Sequence, residues 1–201
     1  MRPEFLLTLA DTSQIKDLFT GPYLKGHREP RIAMVGRSNV GKSTLINCVL
    51  GAVLARTSSQ PGKTRAIHFY QWKDAGKIIA DLPGYGYAKA AKVERERWEK
   101  FIEAYLKTDE NLERAVVLLD ARHGPTDVDM QAIGFLVSLG VPITFVFSKS
   151  DTLKTQSERA KRKKEATRDL ESLGVDAQSV FWVSVRDSLS VKKLVQALSL
   201  K

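Results

Sequence analysis

Three features of the 201-residue sequence predict an α/β fold, with a mostly parallel six-stranded sheet, one antiparallel strand and helices on both faces. Short apolar runs alternate along the chain with segments of helical period. Several of those runs are continuously apolar, as strands covered on both faces are. No internal repeat, low-complexity tract or linker rich in Pro, Gly or Ser divides the chain, so its 43% hydrophobic content is read as one core.

Residues 1–29 come before the first expected strand and are read as an N-terminal extension of a domain spanning 30–201. Thr20 to Pro30, with Gly21, Pro22, Gly26 and Pro30, reads as a turn-rich connection. Strands are expected at Arg31–Gly36, Ala66–Trp72, Lys77–Asp81, Ala115–Ala121, Pro142–Ser148 and Ser179–Ser184. Only Lys73 to Gly76 separate the second from the third, too few residues for a helical crossover, so this pair forms an antiparallel hairpin. The other connections are long enough for right-handed crossovers through helices. Helical stripes fall on Trp98, Phe101, Ile102 and Tyr105, on Met130, Ile133, Gly134 and Val137 after a start signal at Pro125 to Asp127, and on Val191, Leu194, Val195 and Leu198. All three stripes are read as core-facing.

No run approaches the roughly 18 consecutive apolar residues of a membrane span, and the first ten residues carry Glu4 and no cleavage signature, so a cytoplasmic protein that avoids membranes is expected. The single cysteine, Cys48, is read as a packing residue. His27, His68 and His123 share no ligand spacing. With 32 Lys and Arg against 23 Asp and Glu, the formal charge is +9, and the summed field attracts polyanions. Basic residues gather at Arg159, Lys161, Arg162, Lys163 and Lys164, and at Lys89, Lys92, Arg95 and Arg97. The first group fits a solvated helix face as well as it fits phosphate contact.

The chemistry is concentrated in four strings. Gly36, Arg37, Ser38, Asn39, Val40, Gly41, Lys42 and Ser43, followed by Thr44, have the G-x-x-x-x-G-K-[ST] spacing between an apolar strand and a helix start. Glycines let the backbone N–H groups curl around a phosphate, and the helix N-terminus adds its positive end. Lys42 then reaches the β- and γ-phosphates, and the Ser43 hydroxyl suits Mg2+, a hard cation that takes oxygen ligands. Asp81-Leu82-Pro83-Gly84 ends a strand, which places a carboxylate on a Mg-bound water and the Gly84 N–H toward a γ-phosphate. Between these motifs, Gln60-Pro61-Gly62-Lys63-Thr64-Arg65 forms a polar loop ahead of the strand that opens at Ala66, with Thr64 a candidate second Mg2+ ligand; an ordinary turn built on Pro61-Gly62 is the alternative. Ser148-Lys149-Ser150-Asp151 follows an apolar strand. An Asp151 carboxylate can accept from guanine N1–H and N2–H2 while the Lys149 stem covers the base, a pairing adenine cannot make. Val183-Ser184-Val185, after the strand ending in Phe181-Trp182, resembles the segment whose backbone N–H contacts the guanine O6 in GTPases.

Taken together, GRSNVGKST, PGKT, DLPGYGYA and SKSD resemble the EngB-type ribosome-biogenesis GTP-binding proteins, relatives of the Era and TrmE GTPases. The resemblance implies a Ras-like three-layer fold and a Mg-dependent GTPase, with Lys42, Thr64 and Gly84 at the reacting phosphate and Ser43, Thr64 and Asp81 around the metal. It also implies a role in maturation of the large ribosomal subunit, needed for normal cell division and septation, by a protein expected to be a monomer. Tyr85 stands where Ras-type proteins carry a water-positioning Gln, so unaided hydrolysis is expected to be slow. Similarity to cation-dependent relatives points to K+ near Asn39 in place of an arginine finger; the alternative is a structural hydrogen bond within the loop. Lys63, Thr64 and the stretch from Gly84 to Ala88 are expected to order only around a γ-phosphate. The competing reading is an RNA- or ribosome-binding module with GTP as a structural ligand and negligible hydrolysis. A small-molecule P-loop kinase is disfavoured because Asp151 has a guanine-reading role.

Overall fold

In the computed structural model, which describes residues 2–19, 24, 26–56, 66–86, 92–172, 174 and 180–200, seven strands form one sheet. In chain order the elements are β1 (Glu4–Leu9), α1 (Ile15–Leu18), β2 (Arg31–Gly36), α2 (Lys42–Leu50), β3 (Ile67–Trp72), β4 (Lys77–Asp81), α3 (Lys92–Thr108), β5 (Leu112–Asp120), α4 (Asp127–Ser138), β6 (Ile143–Ser148), α5 (Gln156–Glu171), β7 (Val180–Trp182) and α6 (Ser188–Ser199). The strand order is β1-β3-β4-β2-β5-β6-β7. Pairing is parallel from β4 through β2, β5 and β6 to β7, and β3 runs against both of its neighbours, β1 and β4. All six expected strands are present. The seventh, β1, comes from the segment read as an extension and closes one edge of the sheet against β3.

Period-2 alternation sends successive residues to opposite faces and produces two cores. Ala33 and Val35 of β2, Ala115, Val117 and Leu119 of β5, and Phe145 and Phe147 of β6 face one side, where Phe101, Tyr105, Ile133, Leu136, Ala166 and Leu170 cover them from α3, α4 and α5. Ile32, Met34, Val116, Leu118 and Val146 face the other, under Leu45, Ile46 and Val49 of α2 and Leu194 and Leu198 of α6. β2 and β4 are therefore buried from end to end, which is why Ile32 to Val35 and Ile78 to Ala80 read as unbroken apolar runs. One stripe differs from its expectation. Gly134 and Val137, the latter 45% exposed, face outward, and Leu136 takes the inward place in α4, because the inward line runs through Asp129, Ile133 and Leu136, spaced at i, i+4 and i+7. The Trp98 side chain lies outside the described residues. Cys48, read as a core residue, is half-buried.

One buried ion pair fixes the start of β2 against the end of α3. Arg31 Nε donates to both Asp109 carboxylate oxygens at 2.7 and 2.8 Å, the Tyr105 hydroxyl donates to Asp109 at 2.8 Å, and the Phe19 ring lies 4.7 Å from the guanidinium. Burial, with the Asp109 charge and hydrogen bond beside it, holds the Tyr105 phenol well above its ordinary pKa, so it remains a donor. Tyr105→Phe removes one hydrogen bond to a buried charge and keeps the ring, and is expected to lower stability by about 1.5 kcal/mol. Urea denaturation at neutral pH checks this.

Candidate functional site

Where β2 ends, the chain has no room for side chains and needs backbone that L-residues avoid. A Cβ on Gly36 would sit 2.9 Å from Val40 Cγ1 and 3.1 Å from the Leu118 carbonyl. Asn39 and Gly41 have φ of 66° and 102°, and Gly41 caps α2, so that Lys42 and Ser43 open the helix. The sequence folds this way because glycine tolerates the left-handed region at little cost, and Asn more readily than most residues.

Asp81 ends β4 beside Met34 of β2, and its carboxylate forms an ion pair with the Lys42 ammonium; both side chains are largely buried. The Gly84 turn lies against the loop after β2. A Cβ there would meet the Ser38 backbone nitrogen at 2.9 Å. Ser38 N–H donates to the Tyr85 carbonyl at 3.1 Å and Tyr85 N–H donates to the Gly36 carbonyl at 3.3 Å, so Arg37 and Tyr85 form a parallel bridge. Gly84 and Tyr85 are thus hydrogen-bonded to the loop after β2, while Tyr87 and Ala88, the end of the stretch expected to order around a γ-phosphate, lie outside the described residues.

β6 delivers the third segment. The Ser148 hydroxyl reaches the Val40 carbonyl at 2.7 Å and lies 3.2 Å from that of Leu119. Lys149, at φ 58°, donates from Nζ to the Asn39 carbonyl and to Asp120 Oδ2, each at 2.9 Å. Asp151 accepts from the Ser184 hydroxyl at 2.8 Å, with Arg186 Nη1 3.5 Å from its other oxygen. The loop carrying Ser184 is fixed to this segment by Val183 N–H to the Phe147 carbonyl and Ser150 N–H to the Val183 carbonyl. Val40, Gly41, Thr44, Ser148, Lys149, Asp151, Val183 and Val185 line one cavity of about 270 Å³, together with Leu45, Thr152 and Arg186. Segments far apart in sequence therefore meet at the C-terminal edge of the parallel strands, where open α/β sheets bind ligands.

The sequence reading missed two carboxylates. Asp120, at the end of β5, is buried; desolvation alone would raise its pKa, but hydrogen bonds from Arg122 and Lys149 hold it well below the usual carboxylate range. Asp129, in the first turn of α4, accepts from the Tyr85 hydroxyl at 2.8 Å and stands 3.2 Å from Arg37 Nε. Position could have flagged Asp120, which ends its strand as Asp81 does. Gly62, Lys63, Thr64, Arg65 and Lys89 lie outside the described residues, as do the side chains of Lys92, Arg95 and Arg97, whereas Ala66 directly precedes β3. Among the described residues no group of three or more His, Cys, Asp or Glu could hold a metal ion. A Mg2+ carried on phosphate oxygens needs no such cage, and the Ser43 hydroxyl with the Asp81 carboxylate is an all-oxygen set of the kind it takes. No helix among the described residues is long and apolar enough to cross a membrane.

Residues 31–149 match the family described as 50S ribosome-binding GTPase. Over 149 residues, 74% of this chain and 68% of the relative, the sequence is 45% identical to the probable GTP-binding protein EngB of Oleidesulfovibrio alaskensis. The chain belongs to the EngB family of GTP-binding proteins. A second EngB, from Streptococcus mutans, is 44% identical over 153 residues, covering 76% of this chain and 75% of that one. Among solved structures, a probable GTP-binding protein engB superposes with a TM-score of 0.64 at 26% identity over 84% of this chain and 96% of the other. Aquifex aeolicus Era bound to GDP.AlF4- gives the same TM-score at 22% identity, over 84% of this chain and 55% of its own, and supports the Ras-like fold. As an EngB family member the chain binds guanine nucleotide and is a GTPase.

Proposed function

We propose that this EngB-family GTPase is a nucleotide-controlled switch in assembly of the large ribosomal subunit, acting in the cytoplasm and needed for normal division and septation. The observation that carries the site assignment is the cavity shared by the phosphate loop, Asp151 and the Val183–Val185 segment. In this reading residues 30–201 form the G domain. Guanine enters with its N1–H and N2–H2 toward Asp151, its O6 toward the Val183–Val185 backbone and its plane against the Lys149 stem, whose ammonium is anchored by Asp120 and the Asn39 carbonyl. The loop from Gly36 to Thr44 takes the phosphates, and Lys42 turns from Asp81 to the β- and γ-oxygens. Ser43, Thr64 and Asp81 would hold Mg2+, which would supply positive charge against the phosphates.

Slow unaided hydrolysis follows from Tyr85, whose hydroxyl is committed to Asp129 and is not free to orient an attacking water. The partner is proposed from the family description, and the +9 charge suits a surface of ribosomal RNA. Sedimentation with large-subunit particles is expected to show stronger association with a non-hydrolysable GTP analogue than with GDP, and about tenfold weakening or more between 50 and 200 mM salt as phosphate contacts exchange for counterions. Equal association in both nucleotide states would remove the switch and leave GTP as a structural ligand of a binding module.

A further inference from the structure

Asp129 satisfies more than the start of its helix. One carboxylate oxygen closes a capping box, accepting from the Thr126 N–H at 2.9 Å and the Thr126 hydroxyl at 2.7 Å. Its other oxygen accepts from the Tyr85 hydroxyl at 2.8 Å, across 44 residues of sequence. The side chain is fully buried, and the nearby cation is Arg37 of the phosphate loop, paired with it by charge at 3.2 Å without an aligned hydrogen bond. Burying a carboxylate costs several kcal/mol unless neighbours compensate it. Thr126 supplies part of that compensation, and the rest comes from Tyr85 and Arg37, which draws both of their segments to the N-terminus of α4.

The tie acts where a γ-phosphate would be sensed. Tyr85 follows Gly84 directly, and its N–H and carbonyl already bridge to Gly36 and Ser38. Gly84 lies so close to Ser38 that a Cβ would clash with backbone. The tyrosine stays a donor across the physiological range, because burial raises its pKa and the Asp129 charge raises it further.

We infer that Tyr85 and Asp129 are positioning residues for GTP: they clamp the turn onto the phosphate loop and hold the Gly84 N–H where it meets the γ-phosphate. This rests on the assignment of Gly84 to the γ-phosphate made above. Discrimination of GTP from GDP then depends on a contact that touches neither nucleotide. A ligand shifts such an equilibrium only through contacts that differ between the two forms, and the Gly84 amide is one of them.

The test uses the full chain with Mg2+ and fluorescent forms of GDP and a non-hydrolysable GTP analogue. Tyr85→Phe keeps the ring and removes the hydrogen bond. It is expected to weaken the GTP analogue by about tenfold while leaving GDP within about twofold, with the folded state confirmed by thermal melting. Equal weakening of both nucleotides, as a merely structural tyrosine would give, or weakening of neither, overturns the inference. Gly84→Ala separates the inference from its basis. If it leaves the ratio of the two affinities unchanged, the assignment of Gly84 fails and the inference with it. If it lowers the ratio while Tyr85→Phe does not, the inference alone is overturned.

Discussion

Lys42→Ala is expected to lower the affinity for GDP and GTP by about 4 kcal/mol, roughly a thousandfold, and to reduce the stability of the free protein as well. The lysine is a poor candidate for a purely ligand-facing residue, since its ammonium is largely buried against the Asp81 carboxylate at the junction of β4 and α2. On the phosphate-loop assignment proposed above, removing it deletes a charge-assisted contact to the β- and γ-phosphates, and it leaves a buried carboxylate repelling the incoming anion. The sequence alone suggests an exposed loop whose mutation spares the fold; the ion pair predicts otherwise. Lys42→Ala paired with Asp81→Asn distinguishes the two costs, because neutralising the aspartate restores stability while the phosphate contact stays lost. Titration with a fluorescent GDP analogue and urea denaturation of the three variants supply the measurements. Unchanged nucleotide affinity in Lys42→Ala would remove the phosphate-loop assignment.

The parts of this protein that can be read from sequence are those whose cause is local. β2 and β4 have the bounds expected for them, since each is built on an apolar run, Ile32 to Val35 and Ile78 to Ala80, and both of its faces are covered. The phosphate-loop glycines are legible because each answers a local need for positive φ or close approach. β1 is not legible in this way: Phe5 is 49% exposed and the strand exists because it pairs with β3, about sixty residues later. Asp120 and Asp129 escape for the same reason. Their partners Lys149 and Tyr85 stand 29 and 44 residues away, and an acidic residue after an apolar strand, or in the first turn of a helix, already has an ordinary explanation. The choice of Leu136 over Val137 as the inward residue is a third case, settled by which side of α4 meets the sheet.

Asp151→Asn is expected to weaken GDP and GTP binding by about 4 kcal/mol and to raise the relative affinity for xanthosine nucleotides, because it converts one of two acceptors facing the base into a donor. The structure indicates which way the amide turns. Ser184 Oγ donates to Asp151 Oδ1 at 2.8 Å, and that hydroxyl in turn accepts from the Arg186 N–H at 3.1 Å, so the oxygen on this side is held as an acceptor. The new NH2 therefore takes the place of Oδ2, the oxygen that does not accept from Ser184. There it opposes the N2–H2 donor of guanine and leaves both groups unpaired in a partly desolvated site, whereas the C2 oxygen of xanthine accepts from it. Lys149, fixed by Asp120 and the Asn39 carbonyl, is untouched by the change, so the stacking surface remains and the effect isolates hydrogen-bond recognition. Competition of GTP and XTP against a fluorescent guanine nucleotide, in wild type and variant, reads the outcome. The expected result is strong preference for GTP in the wild type and a loss or reversal of that preference in Asp151→Asn; equal discrimination in both proteins would place the base-reading group elsewhere on the cavity wall.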